Sequence, residues 1–146
     1  MAHETAAGAS ISFSATAPAT FDDTGYAALT WTTAAEVTNI GSFGKEFNLV
    51  THLPLSSRGV KKTKGSFNNG TLTPSLAFDP ADGGQTLLET AAESDDPIYA
   101  RVTTQSGVVF YLEVLVMSFR TEIGEADSIV MGMPTMEVTD RAIVRV

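Results

Sequence analysis

Side chains that could perform catalysis are sparse in this chain, and the first candidates lie close together near its middle. One of the two histidines, His52, is followed by Ser56 and Ser57. A histidine near serines could supply a general base and a nucleophile, but it also needs an orienting acid and often a G-x-S-x-G turn. Neither accompanies these residues, so the sequence does not favour an enzyme.

Acidic residues form the second group of candidates. In the segment DPADGGQ, Asp79 and Asp82 precede Glu89, an arrangement that could coordinate calcium. The spacing differs from the D-x-[DN]-x-[DN]-G pattern and offers too few oxygen ligands. A turn followed by a helix cap explains the segment better, and the SDDP sequence at 94–97 is interpreted in the same way. We therefore expect no metal and no cofactor.

The third group is basic. Residues 56–70 read SSRGVKKTKGSFNNG and contain no acid. They hold four of the nine basic residues of the chain, namely Arg58, Lys61, Lys62 and Lys64. Residues 45–64 carry a net charge of +4, whereas the whole chain carries −8. Three interpretations are open: a grip for nucleic acid, a docking arm for an acidic copy of the same chain, or a solvated loop.

Nucleic-acid binding is the least favoured of the three. A net charge of −8 opposes contacts with phosphates. Phe67 is the only aromatic residue in the basic segment, so no platform for stacking bases is evident.

Composition and length indicate one globular domain over residues 1–146. Apolar residues make up 43% of the chain and charged residues 18%, which is typical of a folded domain. Cysteine is absent, so disulfides and thiolate metal sites are excluded. No apolar run is long enough to span a membrane, and the first residues show no secretory signal.

Periodicity predicts a mainly β fold with seven to eight strands. The pattern of apolar and polar residues predicts strands near 10–16, 45–53 and 71–78 and one within 32–40. It predicts four more at 97–104, 108–119, 128–138 and 141–146. The segment VVFYLEVLVMSF is apolar on both sides, so we expect both of its faces to be covered. Residues 1–9 are predicted to be a flexible arm, and residues 51–69 a long loop of the kind that is often functional.

One α-helix is predicted after residue 82. Four apolar residues share one face at helical spacing: Leu87, Leu88, Ala91 and Ala92. Asp82 or Gly83 can cap the start of this helix, and Pro97 lies just past its end. The apolar stripe should cover a face or an end of the sheet, giving a β-sandwich or small barrel with one flanking helix.

The order of these motifs resembles a known family. The helix opens with D-x-G-Q-x-x-L-x-x-A, formed by Asp82, Gly84, Gln85, Leu88 and Ala91. A G-x-x-D turn, Gly124 to Asp127, precedes the last long strand. In this order the chain is similar to the tail tube proteins, or major tail proteins, of long non-contractile bacteriophage tails, over roughly residues 10–146.

The resemblance implies a structural virion protein and not an enzyme. Six copies would form a ring around a channel, and rings would stack head to tail into a tube through which double-stranded DNA passes without specific binding. The implied partners are further copies of itself and the tape measure, tail terminator and distal tail proteins, with no membrane. The implied location is the virion tail, assembled in the host cytoplasm.

The same resemblance assigns the loop at 51–69 to the contact between rings. Its basic residues would face an acidic surface of the next copy, because opposite charges steer and register heterologous contacts. Four apolar residues of the segment are candidates for the centre of this contact: Leu53, Leu55, Val60 and Phe67. Glu113 is a candidate for the channel wall, with an outward edge position as the alternative.

A second class of function is also open. A β-sandwich binding module, such as a capsid decoration or host-binding domain, would have the same strand pattern and exposed loops. Trp31 and the tyrosines would then be ligand contacts, whereas in the tube interpretation Trp31 packs in the core.

Overall fold

The computed structural model describes residues 3–146, and this part of the chain is mainly β, as predicted. Its strands are β1 (Ser10–Ser14), β2 (Thr32–Thr33), β3 (Val37–Asn39), β4 (Glu46–His52), β5 (Lys61–Asn68), β6 (Thr71–Leu72), β7 (Ser75–Ala77), β8 (Ile98–Thr103), β9 (Val109–Glu122), β10 (Met131–Val138) and β11 (Val144–Arg145). Its helices are α1 (Asp23–Ala27) and α2 (Gly83–Ala92). Several strands are only two or three residues long, which is why the sequence pattern shows fewer.

Nine of these strands form one antiparallel sheet in the order β2-β1-β8-β9-β10-β7-β3. Strand β11 shares the edge of β9 with β10, and β6 shares the edge of β10 with β7. Buried side chains from β1, β6, β7, β8, β9 and β10 belong to the same core cluster. The sheet must therefore curl around that core, since strands from both of its halves contribute to it.

Helix α2 packs on this core. Asp82 is its N-cap, and a carboxylate oxygen of Asp82 accepts a hydrogen bond of 3.1 Å from the backbone N–H of Gln85. Leu88 and Ala91 are buried against the sheet, while Leu87 and Ala92 are half-buried beside them. The helix thus covers the core with the face that its spacing predicts.

A second, shorter helix differs from the prediction. Asp22 and Gly25 are residue types that usually interrupt regular structure, yet residues 23–27 form α1. Asp22 caps this helix by accepting from the Gly25 N–H at 2.8 Å. Tyr26 is fully buried and joins Tyr99 and Tyr111 in an aromatic cluster separate from the main core. Burial of this tyrosine stabilises a turn of helix that local propensity does not favour.

A β-bulge interrupts β9. The partners of β10 shift from Ser118 to Val116, so Met117 is left without a partner in the ladder. Val114 and Val116 point to the core before the bulge, and Phe119 packs against the core after it. The two-sided apolar pattern of this strand therefore reflects a change of phase as well as burial on both faces.

The segment predicted as a flexible arm rests against the turn between β8 and β9. The backbone N–H of Ser106 donates to the carboxylate of Glu4 at 3.1 Å. Hydrogen bonds with Ser106 and Thr104 lower the pKa of Glu4. Across residues 3–146, no helix combines the length and the hydrophobicity needed to cross a membrane.

Candidate functional site

The basic segment belongs to a β-hairpin that stands apart from the main sheet. Strands β4 and β5 pair only with each other, from Glu46 opposite Asn68 to His52 opposite Lys61. The prediction of a loop over 51–69 is therefore wrong for most of that segment, because only residues 53–60 form the connecting turn. Every residue of β4 is exposed, and so is every residue of β5 except Gly65. Strand β4 confirms the strand predicted near 45–53, whereas β5 has no hydrophobic alternation by which the sequence could reveal it.

One face of the hairpin combines lysines with aromatic rings; we call it the basic–aromatic face. It comprises Lys45, Phe47, Leu49, Thr51, Lys62, Lys64 and Phe67, which the strand register places on one side. The rings of Phe47 and Phe67 lie 5.8 Å apart. The amine of Lys45 is 4.4 Å from the Phe67 ring, and that of Lys64 is 4.8 Å from the Phe47 ring. These are cation–π distances, so both lysines are held above an apolar surface.

The opposite face of the hairpin is more polar. Lys61 lies on it opposite His52, and the side-chain amide of Asn48 donates to the Ser66 hydroxyl at 3.0 Å. The one basic residue of β5 on this face is thus separated from Lys62 and Lys64, although all three are close in sequence. The alternation of side chains along β5 sets this division.

The turn at residues 53–60 is apolar as well as basic. Leu53, Leu55 and Val60 are all exposed there, together with Arg58. The turn is closed by hydrogen bonds from the Ser57 N–H to the Pro54 carbonyl and from the Gly59 N–H to the Ser57 hydroxyl. That hydroxyl therefore stabilises the turn, and the structure does not place His52 and Ser57 beside an orienting acid.

The base of the hairpin is anchored by a buried residue that sequence reasoning missed. The side-chain amide of Asn69 donates to the carbonyl oxygens of Thr139 at 2.7 Å and Arg141 at 3.3 Å. The backbone carbonyl oxygen of Asn69 accepts a hydrogen bond of 3.1 Å from the Gly44 N–H. The NNG sequence indicated only a turn, and Gly70 does adopt a positive φ of 98°. That motif was the one available signal for this residue.

Glu113, the candidate for a channel wall, lies close to this anchor. Its carboxylate pairs with the guanidinium of Arg141 at 2.9 Å and accepts from the Thr139 hydroxyl at 3.0 Å. The side chain of Glu113 is 11% exposed. Its charge is thus neutralised within the chain, so it contributes little free negative potential. Its position in a channel wall stays a prediction.

The motif at the start of α2 has a structural role that the geometry explains. The Gln85 side chain is fully buried, accepts from the Asp79 N–H at 2.9 Å and donates to the Ala77 carbonyl at 2.9 Å. Asp82 accepts from the Ala35 N–H as well as capping the helix. The acids of DPADGGQ are therefore used as hydrogen-bond acceptors for the backbone. Within residues 3–146, no group of three or more acids and histidines is arranged to hold a metal ion.

The β4–β5 hairpin is the candidate surface for contact with another molecule. All eight residues predicted for the loop lie on the hairpin, although on two faces and a turn. Seven large apolar side chains are exposed on it: Phe47, Leu49, Val50, Leu53, Leu55, Val60 and Phe67. Exposed apolar groups concentrated on one projecting element are typical of a protein–protein contact.

Comparisons with known proteins agree with the fold. No protein-family model and no curated protein matches the sequence. A chain of the anti-feeding prophage (AFP) baseplate matches with a TM-score of 0.62 and 9% identity, over 94% of this chain and 91% of that one. The PVC sheath/tube terminator of an extracellular contractile injection system gives 0.59 and 9%, over 94% and 92%. The SPP1 tail tube gives 0.60 and 11%, over 94% and 75%. The chain therefore has the tail-tube fold that its motif order predicts.

Proposed function

We propose that this chain is a structural subunit that assembles with itself into the tube of a long bacteriophage tail. Six copies form a ring, rings stack head to tail, and DNA passes through the channel. The observation that carries the proposal is the exposed basic and apolar hairpin on a tail-tube fold. An isolated two-stranded hairpin is at best marginally stable in water, so this one is expected to be covered by another molecule.

A second copy of the chain is the partner that fits the hairpin best. The segment at 45–64 carries +4, and the rest of the chain carries the acids that give a net −8. One surface can therefore dock on a different surface of an identical copy, which is the heterologous contact that generates stacks. Leu53, Leu55, Val60 and Phe67 supply the apolar centre of this contact, and the lysines around them set its register.

The remaining assignments follow from the same role. The matched neighbours include a tube terminator and a baseplate that was 6-fold symmetrised, which supports rings of six and contacts with proteins at the ends of the tube. We propose tape measure, tail terminator and distal tail proteins as those partners, in a non-contractile virion tail assembled in the host cytoplasm. The excess of acids suits a channel through which phosphates slide without binding.

Electron microscopy of the purified protein over a range of concentrations tests the proposal. We expect hollow stacked rings for the unchanged chain, and fewer or none as salt is raised, because exposed charge pairs are screened. Lys62→Glu should reduce assembly at least tenfold. A stable monomer or trimer that never elongates would overturn the proposal and support a binding module.

The chain offers a matched control for this experiment. Lys61→Glu makes the same charge change one residue away, on the opposite face of β5. It should reduce assembly much less than Lys62→Glu. Equal losses from the two variants would show that total charge, and not the basic–aromatic face, governs assembly.

A further inference from the structure

A groove between α2 and β9 has no role in the fold described above. Its volume is about 740 Å³, and its lining includes the apolar side chains of Phe78, Met117 and Phe119 among polar ones. A smaller depression of about 260 Å³ continues past the end of the helix, beside Asp95 and Leu115. The two share Ala92 and Met117, so they form one continuous surface. We call it the α2–β9 groove.

The most exposed apolar residue of this groove lies at the bulge in β9. Met117 has no partner in the ladder, and its side chain is 61% exposed. Methionine is flexible and adapts to varied contacts, so it is common on surfaces that bind other proteins.

The rim of the groove is acidic. Glu89, Glu93 and Asp95 line it, and all three are exposed. Among residues 3–146 the one ion pair joins Glu113 to Arg141, so none of the rim acids has a cationic partner there.

These acids also lie at the unfavourable end of the helix. Glu89 and Glu93 are in or next to the last turn of α2, where the helix dipole is negative and a cation would be stabilising. The last turn contains no basic residue. In the free chain, the negative charges of these acids and of the helix end repel each other, and a partner that brings positive charge would relieve this repulsion.

We infer that the α2–β9 groove receives the basic–aromatic face and turn of the hairpin of the next copy. The inference rests on the proposed tube function and names the second half of its contact. Lys62, Lys64 and Arg58 would meet the acids of the rim. The exposed leucines of the hairpin would meet the apolar floor at Met117 and Phe119.

The positions of the two surfaces suit head-to-tail stacking. The base of the hairpin meets the sheet near the start of β9, where Phe43 packs on Phe110 with ring centroids 5.3 Å apart. The groove lies against Met117 to Thr121, near the end of the same strand. Seven to eleven residues of extended strand separate them, or roughly 20–35 Å at about 3.3 Å per residue. Among residues 3–146 no ion pair joins the hairpin to this groove, whereas stacking can bring the hairpin of one copy to the groove of the next.

Charge reversal of both surfaces tests this pairing. The hairpin variant is Lys62→Glu/Lys64→Glu, and the groove variant is Glu89→Lys/Glu93→Lys. Each alone should assemble at least tenfold less than the unchanged chain by electron microscopy and sedimentation. An equimolar mixture should form tubes again, because each variant then meets a complementary surface only on the other.

A control variant and a stability measurement separate a loss of docking from other effects of charge reversal. Glu122→Lys/Glu125→Lys makes the same charge change at the exposed end of β9 and in the turn that follows it, and neither residue lines the groove. This variant should leave assembly nearly unchanged. The groove variant should keep or raise the Tm of the monomer, since lysine suits the end of a helix. Lost assembly would then not be misfolding.

The outcomes separate this inference from the proposed function. If the groove variant forms tubes like the unchanged chain, or if the mixture stays unassembled, the hairpin docks elsewhere and the tube function still stands. If the unchanged chain never forms rings or tubes, the proposed function itself fails.

Discussion

The side-chain amide of Asn69 lies 2.7 Å from the carbonyl oxygen of Thr139, and this buried hydrogen bond joins the hairpin to the main sheet. Strand β5 ends one residue before Asn69, and β10 ends one residue before Thr139. The two strand ends are thus tied by a side chain where the ladder does not pair them. The orientation of the hairpin depends on that link.

Replacing Asn69 should therefore affect both stability and assembly. Asn69→Asp removes the N–H donors and places a carboxylate against two carbonyl oxygens, so we expect the free energy of unfolding to fall by about 2–3 kcal/mol. Assembly should fall further than this loss explains, because the hairpin loses its fixed direction. Urea denaturation and electron microscopy measure the two effects.

An exposed asparagine supplies the control. Asn48→Asp changes the same group on β4, where the amide bonds only to the exposed Ser66, and should cost under about 1 kcal/mol. If both variants are equally stable, the Asn69 bond does not anchor the hairpin.

The Glu113–Arg141 pair is the second prediction. The Nε atom of Arg141 lies 2.9 Å from a carboxylate oxygen of Glu113, but the Arg141 side chain is 42% exposed, so water screens part of the attraction. We expect a coupling energy of about 1 kcal/mol from a double-mutant cycle with Glu113→Gln and Arg141→Gln. The coupling should weaken as salt is raised. A coupling energy near zero at low salt would show that the Glu113–Arg141 pair does not stabilise the fold.

Arg141 should contribute through a second contact as well. Its guanidinium lies 3.4 Å from the centroid of the Phe21 ring, within cation–π range. Arg141→Lys keeps the charge but loses the planar group, so it should cost about 0.5–1 kcal/mol even with Glu113 unchanged. Phe21→Leu should remove most of that difference between arginine and lysine.

Gln85 is the third prediction. Gln85→Glu replaces the buried amide that donates to the Ala77 carbonyl by a carboxylate, which should lower the free energy of unfolding by about 2–3 kcal/mol at pH 7. Gln105→Glu is the matched control, because Gln105 is exposed on the turn after β8, and should be nearly neutral. Thermal and urea unfolding of both variants would show whether the amide is required.

Most of the elements that the sequence predicts bury apolar side chains periodically, although β4 alternates and is exposed. Leu88 and Ala91 mark the inner face of α2, and the alternation in β9 marks the centre of the sheet. In both cases burial imposes the period of the element on the residue types, so the pattern can be read directly.

Strand β5 could not be predicted in this way. Its residues are exposed on both faces, so lysine, threonine, glycine and serine are all tolerated and resemble a loop. Pairing with β4, and not burial, stabilises the extended backbone. In any strand, alternation separates Lys61 from Lys62 and Lys64. The face on which each set lies depends on the register, which sequence alone does not specify without a buried face.

Residues whose role depends on one tertiary contact could not be predicted from the sequence either. Asn69 contacts a segment 70 residues away in sequence, and neither its type nor its neighbours indicate that distance. Met117 lies in an apolar run, so its pattern predicted burial, but it lies at the bulge and is exposed. Such irregularities arise from the pairing of two strands and are not encoded by the period of either one.

The alkaline stability of the protein is the last prediction, and it depends on Tyr26. Burial first, and the nearby charge of Glu113 second, raise the pKa of this tyrosine to about 12 from an ordinary value of 10.0. Because the folded pKa is raised, the folded state is fully favoured below pH 10. The contribution of the protonated Tyr26 to the free energy of unfolding is lost as the pH rises from about 10 to about 12, at about 1.4 kcal/mol per pH unit.

Replacing the phenol tests this account without removing the ring. The Tyr26 hydroxyl is buried and has no hydrogen-bond partner among residues 3–146, so Tyr26→Phe should be neutral or stabilising by up to about 1 kcal/mol at pH 7. The ring would keep its stacked contact with Tyr111, whose centroid lies 5.1 Å away. Above pH 10 the variant should lose stability less steeply than the unchanged chain, retaining a smaller slope from Tyr99, whose pKa burial also raises. Urea unfolding at intervals from pH 8 to about pH 12 measures the difference; parallel curves for the two proteins would show that Tyr26 ionises as freely when folded as when unfolded.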